Sequence, residues 1–170
     1  KEAAESGADL VKIQTYEPQD ITVKSKKNIF KIKSGIWKGK YLWDLYKKAH
    51  TPFAWHKDAF KLSRKLKIPM FSTPFSIRAV NFLKKFNPPV YKISSFEITD
   101  IALINHIAKI GKPIIISTGL ANFKEIDNAI KTITRHHKKI IILYCVSSYP
   151  TPESQANILT LRSFQKKYKN

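Results

Sequence analysis

This 170-residue chain is short of cysteine, glycine, methionine, arginine and acidic residues, and each shortage narrows what it can be. Cys145 is the only cysteine, so no internal disulfide can staple the fold. It lies in an apolar run at 140–146, where a buried, inert thiol is expected. No apolar run approaches the ~20 residues of a membrane span, and no signal peptide is visible. The default reading is a cytoplasmic protein with no membrane partner. There are five glycines, and neither G-x-G-x-x-G nor G-x-x-x-x-G-K-[ST] occurs. The dinucleotide-binding and P-loop folds therefore lack their phosphate cradles.

Twelve acidic residues face 31 basic ones, a net charge of +19. Such a charge raises the question of nucleic acid. Only four of the basic residues are arginines (Arg64, Arg78, Arg135 and Arg162), whereas base-edge readers lean on arginine for bidentate contacts. The lysines are spread along the chain rather than gathered in one arm. The reading is a lysine-rich solvated surface and no nucleic-acid partner; a basic RNA-binding protein is the non-enzyme alternative. The one methionine is Met70, and the chain opens and stops within helical patterns, so an internal piece of a longer protein is expected.

What is present is an alternation of short β-branched runs with amphipathic stretches. Strands are expected at 10–15, 69–74, 90–95, 113–118 and 140–146. Helices are expected near 1–9, 42–49, 56–66, 76–86, 101–110 and 123–136, with a last one from about 158. Gly7 and Gly111 serve as stop signals. Ser76 and Asp100 are candidate caps, and Asn122 with Glu125 resembles a capping box. Residues 16–51 form a long connection that is either functional or disordered; its aromatics argue against plain disorder. Strand–helix alternation with largely apolar strands suits parallel strands covered on both faces.

Each strand ends in polar residues: Lys12, Gln14 and Thr15; Ser72 and Thr73; Lys92, Ser94 and Ser95; Ser117 and Thr118; Ser147. A parallel barrel places its chemistry at the C-terminal ends of its strands. The expected fold is therefore α/β, a partial (β/α)8 barrel with about five of eight strands, the chain being an internal part of one such domain. A whole barrel needs about 250 residues.

Lys12 and Lys92 share a context: apolar, Lys, Ile, then Gln or Ser. Two ammoniums facing one interior repel unless an anion sits between them. With Thr73, Ser95, Ser117 and Ser147 they could cradle a phosphate or phospho-carboxylate. Alternatively the lysines snorkel outward and the hydroxyls only end strands, or one lysine forms a Schiff base. Parity raises a difficulty. If Lys92 faces inward so does Ser94, and Ser95 does not unless the strand bends at its end.

The motifs Val11-Lys-Ile-Gln-Thr-Tyr16, Phe71-Ser-Thr-Pro-Phe75, Tyr91-Lys-Ile-Ser-Ser-Phe-Glu97, Ile116-Ser-Thr-Gly119 and Ser147-Ser-Tyr-Pro-Thr-Pro152 resemble the sialic acid (nonulosonic acid) synthase family. Within it, Trp37-Lys-Gly39, Leu42-Trp-Asp-Leu-Tyr46 and Thr51-Pro-Phe-Ala-Trp-His56 look most like the pseudaminic acid synthases. The resemblance runs through essentially the whole chain, with its motifs in order. It implies a condensation of phosphoenolpyruvate with an N-acetylated amino sugar, 2,4-diacetamido-2,4,6-trideoxy-altrose in the pseudaminic case, giving a nine-carbon acid and phosphate. Sialic or legionaminic acid synthesis, or another phosphoenolpyruvate or sugar-phosphate barrel, is the alternative.

The resemblance further implies that Lys12, Thr73, Lys92, Ser95, Ser117, Ser147 and Tyr149 hold phosphoenolpyruvate. Ser147 stands where sialic acid synthases often carry asparagine. Lys12, Gln14, Lys92 and Glu97 would serve the reaction. Gln14, Trp37, Tyr41, Phe53 and Glu97 would lie near the sugar, although local packing explains the aromatics as well. His56 would open a helix or touch substrate, and His136 and His137 would be solvated. The family uses a divalent metal, usually manganese, as a Lewis acid; its ligands, a first barrel strand and a C-terminal antifreeze-like domain that closes the site across a homodimer would all lie outside this chain. The isolated chain is accordingly expected to be inactive and, with open strand edges, prone to aggregation.

Overall fold

A computed structural model describes residues 1–168, which divide into two compact units, residues 1–89 and 90–168. In the first unit, β1 (Val11–Thr15) and β2 (Met70–Pro74) pair in parallel, with Gln14 opposite Thr73 and Thr15 opposite Pro74. A short helix α1 (Glu2–Glu5) precedes β1, and Gly7 follows it at a φ of 76°. That left-handed conformation is the one glycine adopts without strain.

The connection from β1 to β2 is ordered, as its aromatic content suggested. Helix α2 (Pro18–Ile21) opens with a capping box between Glu17 and Asp20. Residues 31–41 fold back on themselves through a Lys31–Tyr41 antiparallel bridge, and Gly35 and Gly39 make the turn at positive φ. Helices α3 (Leu42–Ala49) and α4 (Phe53–Lys65) complete the crossover. Helix α4 begins three residues earlier than the sequence suggested, because Pro52 itself serves as the cap residue and Phe53 starts the first turn. Helix α5 (Ile77–Lys84) follows β2, its Ser76 cap accepting the Ala79 amide at 3.1 Å.

Helices α4 and α5 meet through aromatic rings. Phe53 stacks on Phe82 with centroids 4.5 Å apart, and Phe60 stacks on Phe86 at 4.8 Å. Each such pair adds about 0.5–1.5 kcal/mol beyond the area it buries.

In the second unit, β3 (Tyr91–Ile93), β4 (Ile114–Ser117) and β5 (Ile140–Leu143) pair in parallel order, β3 to β4 and β4 to β5. Side chains alternate between two faces. Tyr91, Ile93, Ile114 and Ile116 are all within 1% of full burial, against Leu103, Ile104 and Ile107 of α6 (Ile101–Ala108) and Ile126, Ala129 and Ile133 of α7 (Phe123–Thr134). A fully buried isoleucine contributes about 1.5–3 kcal/mol, so this layer dominates the unit's stability. Asp100 caps α6 by accepting the Leu103 amide at 2.9 Å, and the Asn122–Glu125 capping box forms in both directions. The last helix, α8 (Thr160–Lys167), is tied to α7 where Lys167 and Tyr168 both donate to Asp127, at 2.7 and 2.8 Å.

Two expectations need correction. The strands are not covered equally on both faces: Ile141 and Leu143 are 52% and 37% exposed on the face shared with Lys92 and Ser117. That face is the interior side in a barrel, which only the full circle of strands covers. Cys145 is not buried either. The strand stops at Leu143, and the thiol sits partly exposed in the loop beyond it.

Candidate active site

The second unit gathers polar groups where its three strands end. Lys92 pairs in register with Ile115, and Ser117 lies two residues further along β4, so both point to one face. There the Lys92 ammonium donates to Ser117 Oγ at 2.6 Å. Strand β3 then stops at Ile93 and the chain turns. The Glu97 amide donates back to the Ser94 carbonyl at 3.2 Å, and the Ser94 hydroxyl donates to the Glu97 carboxylate. This bend removes the parity difficulty. It swings Ser95 across to accept the Gly119 amide at 3.1 Å, just past the end of β4. Ser147 arrives from beyond β5: a Cβ on Gly119 would stand 2.3 Å from Ser147 Oγ and 2.9 Å from the Cys145 carbonyl. Only glycine permits that approach. Lys92, Ser95, Ser117 and Ser147 thus come to the ends of adjacent strands, as expected.

Glu97 belongs to the same group. Burial pushes its carboxyl up to about 7; the Asp100 carboxylate adds to the rise, while its own amide and the Lys92 ammonium work against it. A carboxylic acid poised near neutrality beside a lysine and hydroxyls is equipped to hold an anion and to exchange a proton.

The first unit places its candidates on β1 and β2. Gln14 and Thr73 are register partners; Lys12 and Gln14 are exposed, whereas Thr73 is 1% exposed with a hydroxyl that has no hydrogen-bond partner. A buried, unsatisfied hydroxyl costs about 1–3 kcal/mol and is a mark of a group held for a ligand.

The sugar-side aromatics are not brought together. Trp37 is 45% exposed in the turn after Gly35, and Tyr41 lies under the ammoniums of Lys26 and Lys31 at 4.6 and 6.0 Å. Phe53 is a packing residue, stacked on Phe82 with the Arg78 guanidinium 5.0 Å from its ring centre. Tyr149 is 85% exposed, ahead of the cis bond to Pro150.

His56 lies in the first turn of α4, the first of the two roles expected of it, fully buried and bonded to Thr15 Oγ1 at 2.7 Å. His136 is exposed and bonded to Asn105 at 2.8 Å, but the Nε2 of His137 is buried without a partner, and burial lowers that ring's pKa. Gly119, Ser94 and the His56–Thr15–Ser72 group were missed as functional positions. The Ser-Thr-Gly sequence at 117–119 was the available signal for the first.

Among the described residues no cluster of three or more His, Cys, Asp or Glu side chains could hold a metal ion. These residues do not fit a resident metal. Among the described residues no helix is long and apolar enough to cross a membrane.

Parallel strands with polar C-terminal ends define a barrel-type α/β fold, and the comparisons place it in a family. The model of the NeuB family matches residues 1–170, and the chain belongs to that family. It is 46% identical over 158 residues to the pseudaminic acid synthase of Helicobacter pylori, covering 92% of this chain and 46% of that protein. It is 41% identical over 170 residues to the pseudaminic acid synthase of Campylobacter jejuni subsp. jejuni, covering 99% and 49%. The chain spans about half the length of the curated relatives it matches. The crystal structure of N-acetylneuraminic acid (sialic acid) synthetase from Leptospira borgpetersenii, in complex with citrate, superposes with a TM-score of 0.85 at 29% identity, over 98% of this chain and 54% of that one. The fold is therefore part of a (β/α)8 barrel, with five parallel strands.

Proposed function

We propose that the protein condenses phosphoenolpyruvate with 2,4-diacetamido-2,4,6-trideoxy-altrose to form pseudaminic acid, releasing phosphate. The observation that carries the reading is the Lys92–Ser117 pair, flanked by Ser95, Gly119 and Ser147 at the ends of three adjacent strands. The identity to two pseudaminic acid synthases supports the choice of sugar.

In this reading Lys92, Ser95, Ser117 and Ser147 hold the phosphate. The enol carbon forms a bond to the sugar aldehyde carbon, whose oxygen takes a proton. Water adds to the enol-phosphate carbon and loses a proton, and the carbon–oxygen bond to phosphate breaks. The cradle orients the phosphate and stabilises the charge that develops as it leaves. Glu97 is the group suited to exchange a proton near pH 7, and Gln14 faces the sugar. By resemblance the full-length protein would also take a divalent metal, manganese, held by residues other than those described and supplying Lewis acidity, and would work as a homodimer.

The test is phosphate release by the full-length protein with phosphoenolpyruvate, manganese and either the diacetamido sugar or N-acetylmannosamine. Release with the diacetamido sugar alone is expected. Release with N-acetylmannosamine alone would keep the chemistry and overturn the choice of sugar. Release with neither would remove the synthase reading.

A further inference from the structure

Behind β1 and β2, on the face away from Gln14 and Thr73, three polar side chains are each fully buried: Thr15, His56 and Ser72. They are bonded in series. His56 Nδ1 meets the Pro52 carbonyl at 3.1 Å and Nε2 meets Thr15 Oγ1 at 2.7 Å. Thr15 Oγ1 lies 2.7 Å from Ser72 Oγ, whose single proton is shared between Thr15 Oγ1 and the Ile13 carbonyl at 3.1 Å. Because the Pro52 carbonyl can only accept, Nδ1 carries the proton; a neutral ring then accepts from the Thr15 hydroxyl. Burial favours that neutral ring by lowering its pKa.

Such a chain is an expensive way to fill an interior. The His56 ring sits among Phe53, Phe82 and Phe86, and apolar side chains of similar shape could occupy the same layer with no polar group to satisfy. What the chain provides is position. Ser72 grips both neighbours of Gln14, the Ile13 carbonyl and the Thr15 hydroxyl, and Ser72 is itself next to Thr73.

We propose that Thr15, His56 and Ser72 form a buried clamp, anchored on α4, that positions Gln14 and Thr73 on the opposite face; His56 and Thr15 are positioning residues for the reaction. The proposal rests on the synthase reading for its functional half. A misplacement of about 1 Å at a reacting geometry can cost about 100-fold in rate, so a clamp of this kind acts without touching substrate.

The experiment uses the full-length protein with Thr15→Val, His56→Phe and Thr15→Ser variants. Three quantities are followed: the melting midpoint, phosphoenolpyruvate affinity by calorimetry with kcat, and amide exchange at 12–15 and 71–74. Thr15→Val and His56→Phe should each weaken phosphoenolpyruvate binding or kcat by about 10-fold or more, with faster exchange confined to those two segments. Thr15→Ser, which keeps the hydroxyl, should restore both. Thr15→Val combined with Ser72→Ala should do no more damage than Thr15→Val alone, because both cut one chain. If the melting midpoint falls while affinity, kcat and local exchange stay as in the wild type, the clamp is only structural and the proposal is overturned. If the wild type binds no phosphoenolpyruvate, the synthase reading fails and the exchange data alone decide the clamp. Acceleration confined to the two segments then supports it, and unchanged exchange overturns it.

Discussion

Replacing Glu97 by glutamine should stabilise the protein, and only above a certain pH. The Glu97 carboxyl is raised from an ordinary 4.5 to about 7, first by burial and then by the Asp100 carboxylate. An acid whose folded pKa is raised favours folding most when it is protonated in both states, below pH 4.5. Between pH 4.5 and 7 the unfolded chain ionises and the folded one does not, so stability falls; above 7 the penalty is constant. The full shift is worth about 3 kcal/mol at about 1.4 kcal/mol per pH unit, and water reaching the partly exposed side chain trims that to about 1–3 kcal/mol. Glutamine keeps the shape and can still accept from Ser94, but it cannot ionise. Thermal melts of the full-length protein at pH 8.5 should therefore show the variant melting about 2–10 °C higher than the wild type, and melts near pH 4.5 should show no difference. The same variant should lose the limb near pH 7 from the profile of kcat/KM. Equal stability at pH 8.5, or a less stable variant there, would refute the account of Glu97.

Other consequences follow from the same geometry. Gly119→Ala pushes a methyl into Ser147 Oγ and the Cys145 carbonyl. It should destabilise by about 1–3 kcal/mol and weaken phosphoenolpyruvate binding by about 10-fold or more, read by urea melts and calorimetry; adding Ser147→Ala relieves the side-chain clash but not the backbone one. Lys92→Met removes the charge from the cradle and should abolish measurable phosphoenolpyruvate binding while Ser117 remains in place. Borohydride treatment with substrate should trap no adduct on Lys12 or Lys92, detected by peptide mass; an adduct would make this a Schiff-base enzyme instead. The isolated 170-residue chain should release no phosphate, and turnover by it without a complementing fragment would contradict the assignment of essential groups outside it.

The local chemistry of the chain was legible wherever one residue type has one physical role. Ser76, Asp100, Asn122 and Glu125 cap where their side chains predict, because a helix N-terminus has few other sources of acceptors. Lys92 and Ser117 were each legible as polar residues at strand ends, and the register of β3 on β4 is what pairs them. Ser95 was ambiguous, since no periodicity reports that a strand will bend after Ile93. Phe53 and His56 stayed open between local packing or helix position and substrate contact for a different reason. An aromatic or a histidine near a motif packs against whatever helix arrives later, and Phe82, which decides their fate, lies on α5, beyond the strand that follows α4. The clamp behind β1 was hidden because Thr15 and Ser72 looked like two more strand-end hydroxyls; only the register shows them on the face opposite Gln14 and Thr73.

The most direct measurement of the central claim is a crystal structure of the full-length protein with phosphoenolpyruvate bound. The account predicts the phosphate within about 2.7–3.2 Å of the Lys92 ammonium and of the hydroxyls of Ser95 and Ser117, with the Lys92–Ser117 bond opened or shared to admit it. Phosphoenolpyruvate bound elsewhere, with Lys92 still closed on Ser117, would contradict it.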